Sequence, residues 1–142
     1  MKPSSFRAHH FSISVRDTEK SQKFYELFGF TKFSEFSNDV FKITHLKNSE
    51  GLLIEFFEFY ENNDAMPLDL SPANNTERLG VKHIGFRVYD LEEARELFSK
   101  VGYQTTEPKI ALTKGMVYFF VQDPDGNWVE IATDNRLEKI NG

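Results

Sequence analysis

The chain has 142 residues, 17 basic and 22 acidic, a formal net charge of −5 and no cysteine. That length suits one small domain whose core is large enough to fold without covalent staples; the missing thiols exclude disulfide scaffolds, thiolate metal sites and cysteine nucleophiles. The acidic balance argues against a nucleic-acid partner, and no apolar window approaches the roughly 18 residues of a membrane span, nor does the start of the chain carry the apolar core of a secretion signal, so a cytoplasmic location is expected.

The elements come in two similar sets. His10-Phe11-Ser12-Ile13-Ser14-Val15-Arg16-Asp17 lines up with His83-Ile84-Gly85-Phe86-Arg87-Val88-Tyr89-Asp90, both copies reading His-x-x-x-x-Val-x-Asp. Such self-similarity marks a duplicated structural unit. Each copy opens with a strand: Phe11, Ile13 and Val15 alternate with His10, Ser12 and Ser14, as Ile84, Phe86 and Val88 alternate with His83, Gly85 and Arg87. A helix follows, with Asp17 or Asp90 as N-cap or first-turn acid and a helical apolar stripe through Phe24, Leu27 and Phe28 or Leu91, Ala94, Leu97, Phe98 and Val101. Gly29 and Gly102 end these helices. Strands are then expected over residues 31–36, 40–47 and 52–60 in the first copy and 103–108, 116–122 and 128–133 in the second. The class is therefore α+β, as two tandem βαβββ modules, residues 8–60 and 81–134, within one compact domain. Residues 61–80, with two prolines, read as a linker and a candidate lid, and Asp123-Pro124-Asp125-Gly126-Asn127 as a tight turn. The tail from Asp134 is expected to be loosely held.

Residues repeated in both modules are the candidates for chemistry. His10 and His83 open the modules, and Glu55 and Glu130 each sit inside an apolar final strand, Leu53-Ile54-Glu55-Phe56-Phe57 and Trp128-Val129-Glu130-Ile131-Ala132. A carboxylate in a half-buried strand needs a partner or a cation. Two imidazoles and two carboxylates form a donor set suited to divalent Ni, Co, Zn, Mn or Fe, with two negative charges balancing the ion. Glu58, on the face opposite Glu55, reads as solvent-facing. His9 and His45 lack counterparts and carry no assigned role, His9 facing away from His10 by alternation. Ser12, Ser14 and Arg87 share the strand face of the histidines and are expected to line the substrate site, Arg87 either holding an anionic group or serving as a salt-bridge partner. Trp128 shares the face of Glu130 and is a candidate wall of the substrate cavity, with a place in the core as the alternative.

The two module openings, Phe24-Tyr25 with Phe28-Gly29-Phe30, and Asp123-Pro124-Asp125-Gly126-Asn127-Trp128-Val129-Glu130 together resemble the vicinal oxygen chelate superfamily, which includes glyoxalase I, methylmalonyl-CoA epimerase, extradiol dioxygenases and bleomycin-resistance proteins. The resemblance covers nearly the whole chain. It implies a cupped mixed sheet with helices outside and a divalent metal inside, held by His10, Glu55, His83 and Glu130. An acid in the first module is the glyoxalase-like feature, since dioxygenase-like members leave that position non-ligating. The implied activity is a lyase or isomerase of glyoxalase I type acting on a small vicinal-oxygen substrate through a metal-bound enediolate, with Glu130, and with it Glu55 as a further candidate, leaving the metal to carry the proton. The implied assembly is a homodimer. The alternatives are a non-catalytic drug- or metabolite-binding protein of bleomycin-resistance type, and a related epimerase or dioxygenase. No convincing set of basic residues for glutathione carboxylates stands out.

Overall fold

A computed structural model describes residues 2–61 and 79–140. The chain divides into two compact units, Met1–Ala65 and Met66–Gly142. The expected linker and lid fall almost wholly on residues 62–78, outside the described residues.

In the first unit a short 3-10 turn, Pro3–Ser5, precedes strand β1 (His10–Ser14), helix α1 (Thr18–Glu26) and strands β2 (Thr31–Ser37), β3 (Phe41–Lys47) and β4 (Leu53–Phe59). The sheet order is β1-β4-β3-β2. β1 runs parallel to β4, while β4, β3 and β2 are antiparallel neighbours. Asp17 caps α1 by accepting from the Lys20 N–H at 3.2 Å, and Glu58 adds a second acceptor, 2.9 Å from the Thr18 N–H. Glu58 thus lies on the helix-covered face, where a carboxylate meets orphan amides and the positive end of the helix dipole, and also 3.4 Å from Lys42 Nζ; it is not simply solvent-facing. At the other end Gly29 takes φ +84°, and the Phe30 N–H returns to the Tyr25 carbonyl at 3.3 Å, the pattern of a Schellman stop. α1 covers one sheet face. Phe24, Tyr25, Leu46, Ile54 and Phe56 are fully buried there, with the Tyr25 and Phe56 rings 5.8 Å apart.

The second unit repeats this plan with β5 (Ile84–Arg87), α2 (Leu91–Lys100), β6 (Lys109–Ile110), β7 (Met116–Gln122) and β8 (Trp128–Asp134), in the order β5-β8-β7-β6. Asp90 caps α2 through the Glu93 N–H, and Tyr103 N–H bonds the Phe98 carbonyl past Gly102 at φ +88°. Phe98, Phe119, Val121, Val129 and Ile131 form the core. The described residues therefore build two four-stranded mixed sheets, the α+β arrangement that the repeat predicts.

Two further details depart from expectation. The strand anticipated over residues 103–108 is reduced to a bridge between Thr105 and Val121, with regular pairing only at Lys109–Ile110. Pro108 has no N–H to give a ladder, and the Thr106 hydroxyl takes the Phe120 N–H at 2.8 Å. The tail is tied rather than loose as far as Glu138. Asp134 ends β8, and the Glu138 carbonyl accepts from Arg87 Nη1 at 2.7 Å.

Candidate functional site

Strand alternation gives each sheet a helix-covered face and an opposite one. In the first unit the opposite face carries a polar row set by register: Ser12 on β1 is level with Glu55 on β4, Glu55 with His45 on β3, and His45 with Ser34 on β2. The side chains bond along that row. His45 Nε2 lies 2.8 Å from Glu55 Oε2 and, since an ionised carboxylate only accepts, it is the imidazole N–H that donates. His45 Nδ1 is 3.3 Å from Ser34 Oγ. The Glu55 carboxyl is held below its ordinary value first by the His45 hydrogen bond, then by that of Ser12, with the charges of His45 and His10 acting in the same direction against partial burial.

His10 has a different near neighbour. Its Nδ1 is 2.8 Å from Nδ1 of His9, with the rings edge-on at 5.0 Å. Alternation does not separate these two because β1 begins at His10, so His9 lies outside the pleat. Ser14 is level with Phe57, which belongs to an aromatic group on the same face: Phe41 lies 6.3 Å from Phe57 and 5.5 Å from Phe59.

In the second unit Glu130 meets the predicted histidine directly, His83 Nε2 standing 3.0 Å from Glu130 Oε2. Gly85 and Phe120 flank Glu130 in register, where the first unit has Ser12 and His45 beside Glu55. The Phe120 ring meets His83 edge-on at 5.1 Å and Trp128 at 6.1 Å, so Trp128 forms part of an aromatic wall beside the acid. Arg87 is engaged with the Glu138 carbonyl and contributes to the lowered pKa of Asp134.

The predicted residues thus come together in pairs. His83 joins Glu130, Ser12 joins Glu55, and the imidazole bonded to Glu55 is His45 rather than His10. Among the described residues no His, Asp or Glu side chains gather in a group of three or more that could hold an ion. The His83–Glu130 pair, at an ordinary ion-pair distance of 3.0 Å, does bring two of the four predicted donors together. An imidazole nitrogen with a carboxylate oxygen is a donor pair for divalent Zn, Ni, Co, Mn or Fe. Each carboxylate also has an imidazole partner of its own, so burial by itself does not demand a cation.

His45 is the residue that the repeat concealed, because it has no counterpart at the same offset. Hairpin geometry reveals it. The β3–β4 connection centres on residue 50, and Glu55 and His45, equally distant from it, must face each other across the ladder.

A family model for the Glyoxalase/Bleomycin resistance protein/Dioxygenase superfamily matches residues 7–131, and the chain belongs to that superfamily, whose members commonly bind divalent metals and small molecules. It is 26% identical to a lactoylglutathione lyase of Schizosaccharomyces pombe over 95% of this chain and 50% of that one; the chain spans about half the length of this curated relative. Among solved structures it is similar to a glyoxalase family protein from Enterococcus faecalis, with a TM-score of 0.74 and 23% identity over 91% of this chain and 98% of that one. An antibiotic binding protein from Streptomyces sp. CB03234 superimposes with a TM-score of 0.67 and 17% identity over 94% of this chain and 100% of that one. At these identities the structural likeness speaks to fold alone. No helix among the described residues is long and apolar enough to cross a membrane.

Proposed function

We propose that this protein is a metal-dependent lyase or isomerase of glyoxalase I type, working on a small substrate with two vicinal oxygens. His10, Glu55, His83 and Glu130 supply the ligands, from one chain or from two copies in a homodimer. On this reading residues 8–60 and 81–134, joined by 61–80, act as one compact domain in the cytoplasm. The observation that carries the reading is the direct approach of two of the proposed ligands, His83 Nε2 standing 3.0 Å from Glu130 Oε2. The similarity to a lactoylglutathione lyase supports it.

A divalent ion bound there would stabilise negative charge developing on a substrate oxygen. The chain's own contribution is to move the proton. Glu130 is the proposed base, with Glu55 a second candidate, and Phe120 stands level with Glu130 in register, its ring packed against those of His83 and Trp128. Ser12 and Ser14 line the same face as Glu55. Arg87 would have to leave the Glu138 carbonyl to meet an anionic substrate group. The test pairs calorimetric titration of the metal-free protein with Ni, Co and Zn and an assay on the methylglyoxal–glutathione hemithioacetal. Glu130→Gln should bind metal nearly as wild type does while turnover falls by at least about a hundredfold; unchanged turnover would remove Glu130 from the role.

A second reading has its own support. The aromatic group of Phe41, Phe57 and Phe59 next to the polar row suits a protein that holds an apolar drug or metabolite without chemistry, and an antibiotic binding protein shares the fold. Absence of metal uptake, with retained binding of a hydrophobic aromatic probe, would favour it.

A further inference from the structure

The β6–β7 hairpin carries side chains that neither the core nor the proposed site uses. Ile110 is 77% exposed and Leu112 101% exposed, and Lys109 and Lys114, both exposed, flank them in sequence. The turn is closed by the Lys114 N–H on the Ala111 carbonyl at 3.0 Å and the Ala111 N–H on the Met116 carbonyl at 2.9 Å, and its base is braced by the Asn135 N–H on the Gly115 carbonyl at 2.9 Å. A Cβ at Gly115 would come within 2.6 Å of Asn135 Oδ1, so the hairpin is seated closely on the chain behind it. Lys114 takes φ +60°, the one positive φ of a non-glycine residue among the described residues. That left-handed region favours glycine or asparagine over a long side chain. A lysine there breaks a local rule, which calls for a use of its charge. The fold itself asks for less: the corresponding β2–β3 connection turns on Asn38, Asp39 and Val40, with Asn38 Oδ1 accepting from the Val40 and Phe41 N–H groups.

We propose that this hairpin is a docking point for an anionic bilayer surface, with Ile110 and Leu112 entering the interface and Lys109 and Lys114 meeting the headgroup charge. Shape and charge select this occupant. The apolar side chains project from a tip, which a bilayer receives without a groove. A second copy of this chain meeting the same tip across a two-fold axis would set lysine against lysine. The net charge of −5 acts weakly at the membrane, because charges beyond about 8 Å are screened at physiological salt, whereas lysines at the tip work at contact. Two apolar side chains and two charges make the docking reversible, since stable anchoring takes stronger signals. Docking of this kind needs no metal at the proposed site.

The test is co-sedimentation of the full chain with vesicles of phosphatidylcholine, alone or with phosphatidylserine, for wild type, Leu112→Ser and Lys114→Asn, with a thermal melt of each variant to check folding. Wild type should bind the phosphatidylserine vesicles, less so at high salt, and bind phosphatidylcholine alone about twentyfold more weakly, the worth of two lysines. Leu112→Ser should weaken binding about tenfold. Lys114→Asn should weaken it about fivefold while melting no lower than wild type, because asparagine suits the left-handed position. Wild type that stays in solution with both kinds of vesicle, or binding that ignores either substitution, overturns the proposal. So does a lipid-free dimer in sedimentation velocity that Leu112→Ser dissociates, which would make a second copy the occupant.

Discussion

Thr44 puts a hydroxyl into the helix-covered face of the first sheet, fully buried, where it finds no hydrogen-bond partner among the described residues. A buried hydroxyl without a partner costs about 1–3 kcal/mol of desolvation, and valine has nearly the same shape without that penalty. Thr44→Val is therefore expected to stabilise the protein by about 1 kcal/mol in denaturant titration; a loss of stability would mean that the hydroxyl has a partner. Asp134 shows the opposite economy, with its side chain only 9% exposed. The Arg136 guanidinium grips it twice, Nε at 2.8 Å and Nη2 at 2.6 Å, and with help from the Arg136 N–H and the charge of Arg87 lowers its pKa to about 2. Because the folded-state value lies below the unfolded one, the contribution to stability is complete above the ordinary aspartate value of about 3.9 and fades as pH falls from there toward about 2. In an NMR titration Arg136→Ala should move the Asp134 midpoint up toward the ordinary value, and an unmoved midpoint would assign the shift to another cause.

Within the elements, punctuation is what the duplicated pattern made legible. Asp17 and Asp90 cap, Gly29 and Gly102 stop, and the two helices between them bury the predicted Phe24 and Phe98, because caps, stops and apolar spacing are local and need no knowledge of the rest of the chain. The acid-bearing strands were legible for the same reason, since a lone Glu inside an apolar run stands out at any register. What local pattern cannot carry is which side chains face each other across strands. His10 and His45 look alike as single histidines, and only the pairing of β3 with β4 tells that His45 meets Glu55. The loss of the strand over residues 103–108 is likewise a matter of competition, in which the side chain of Thr106 takes an amide that a regular ladder would have used. The caps can be weighed directly. Asp90→Ala removes the acceptor of the Glu93 N–H and should cost about 1 kcal/mol, read as a lower melting temperature; no change would show that solvent replaces the cap fully.

Across the whole molecule, one βαβββ plan is used twice with different chemistry on corresponding positions: a four-residue polar row in one sheet, and an acid between a glycine and a phenylalanine in the other. If the proposed ligands serve one ion, metal binds only the folded chain and must raise its stability. An ion at a hundred times its dissociation constant contributes about 2.7 kcal/mol, so zinc should lift the melting temperature by several degrees and a chelator should reverse it; equal melting with and without zinc would count against the ligand set. The topology also carries a consequence for biosynthesis. In both sheets the first strand of the module lies parallel to the last, β1 on β4 and β5 on β8, across about forty residues of intervening chain that must close as a loop before the pair can form. The β2–β3–β4 meander can assemble from neighbours, but the strand made first waits for the one made last. On a ribosome, the strand carrying His10 therefore emerges early and stays without its sheet partner until Leu53–Phe59 has cleared the exit tunnel, so each module completes its sheet as a whole rather than growing from its N-terminus.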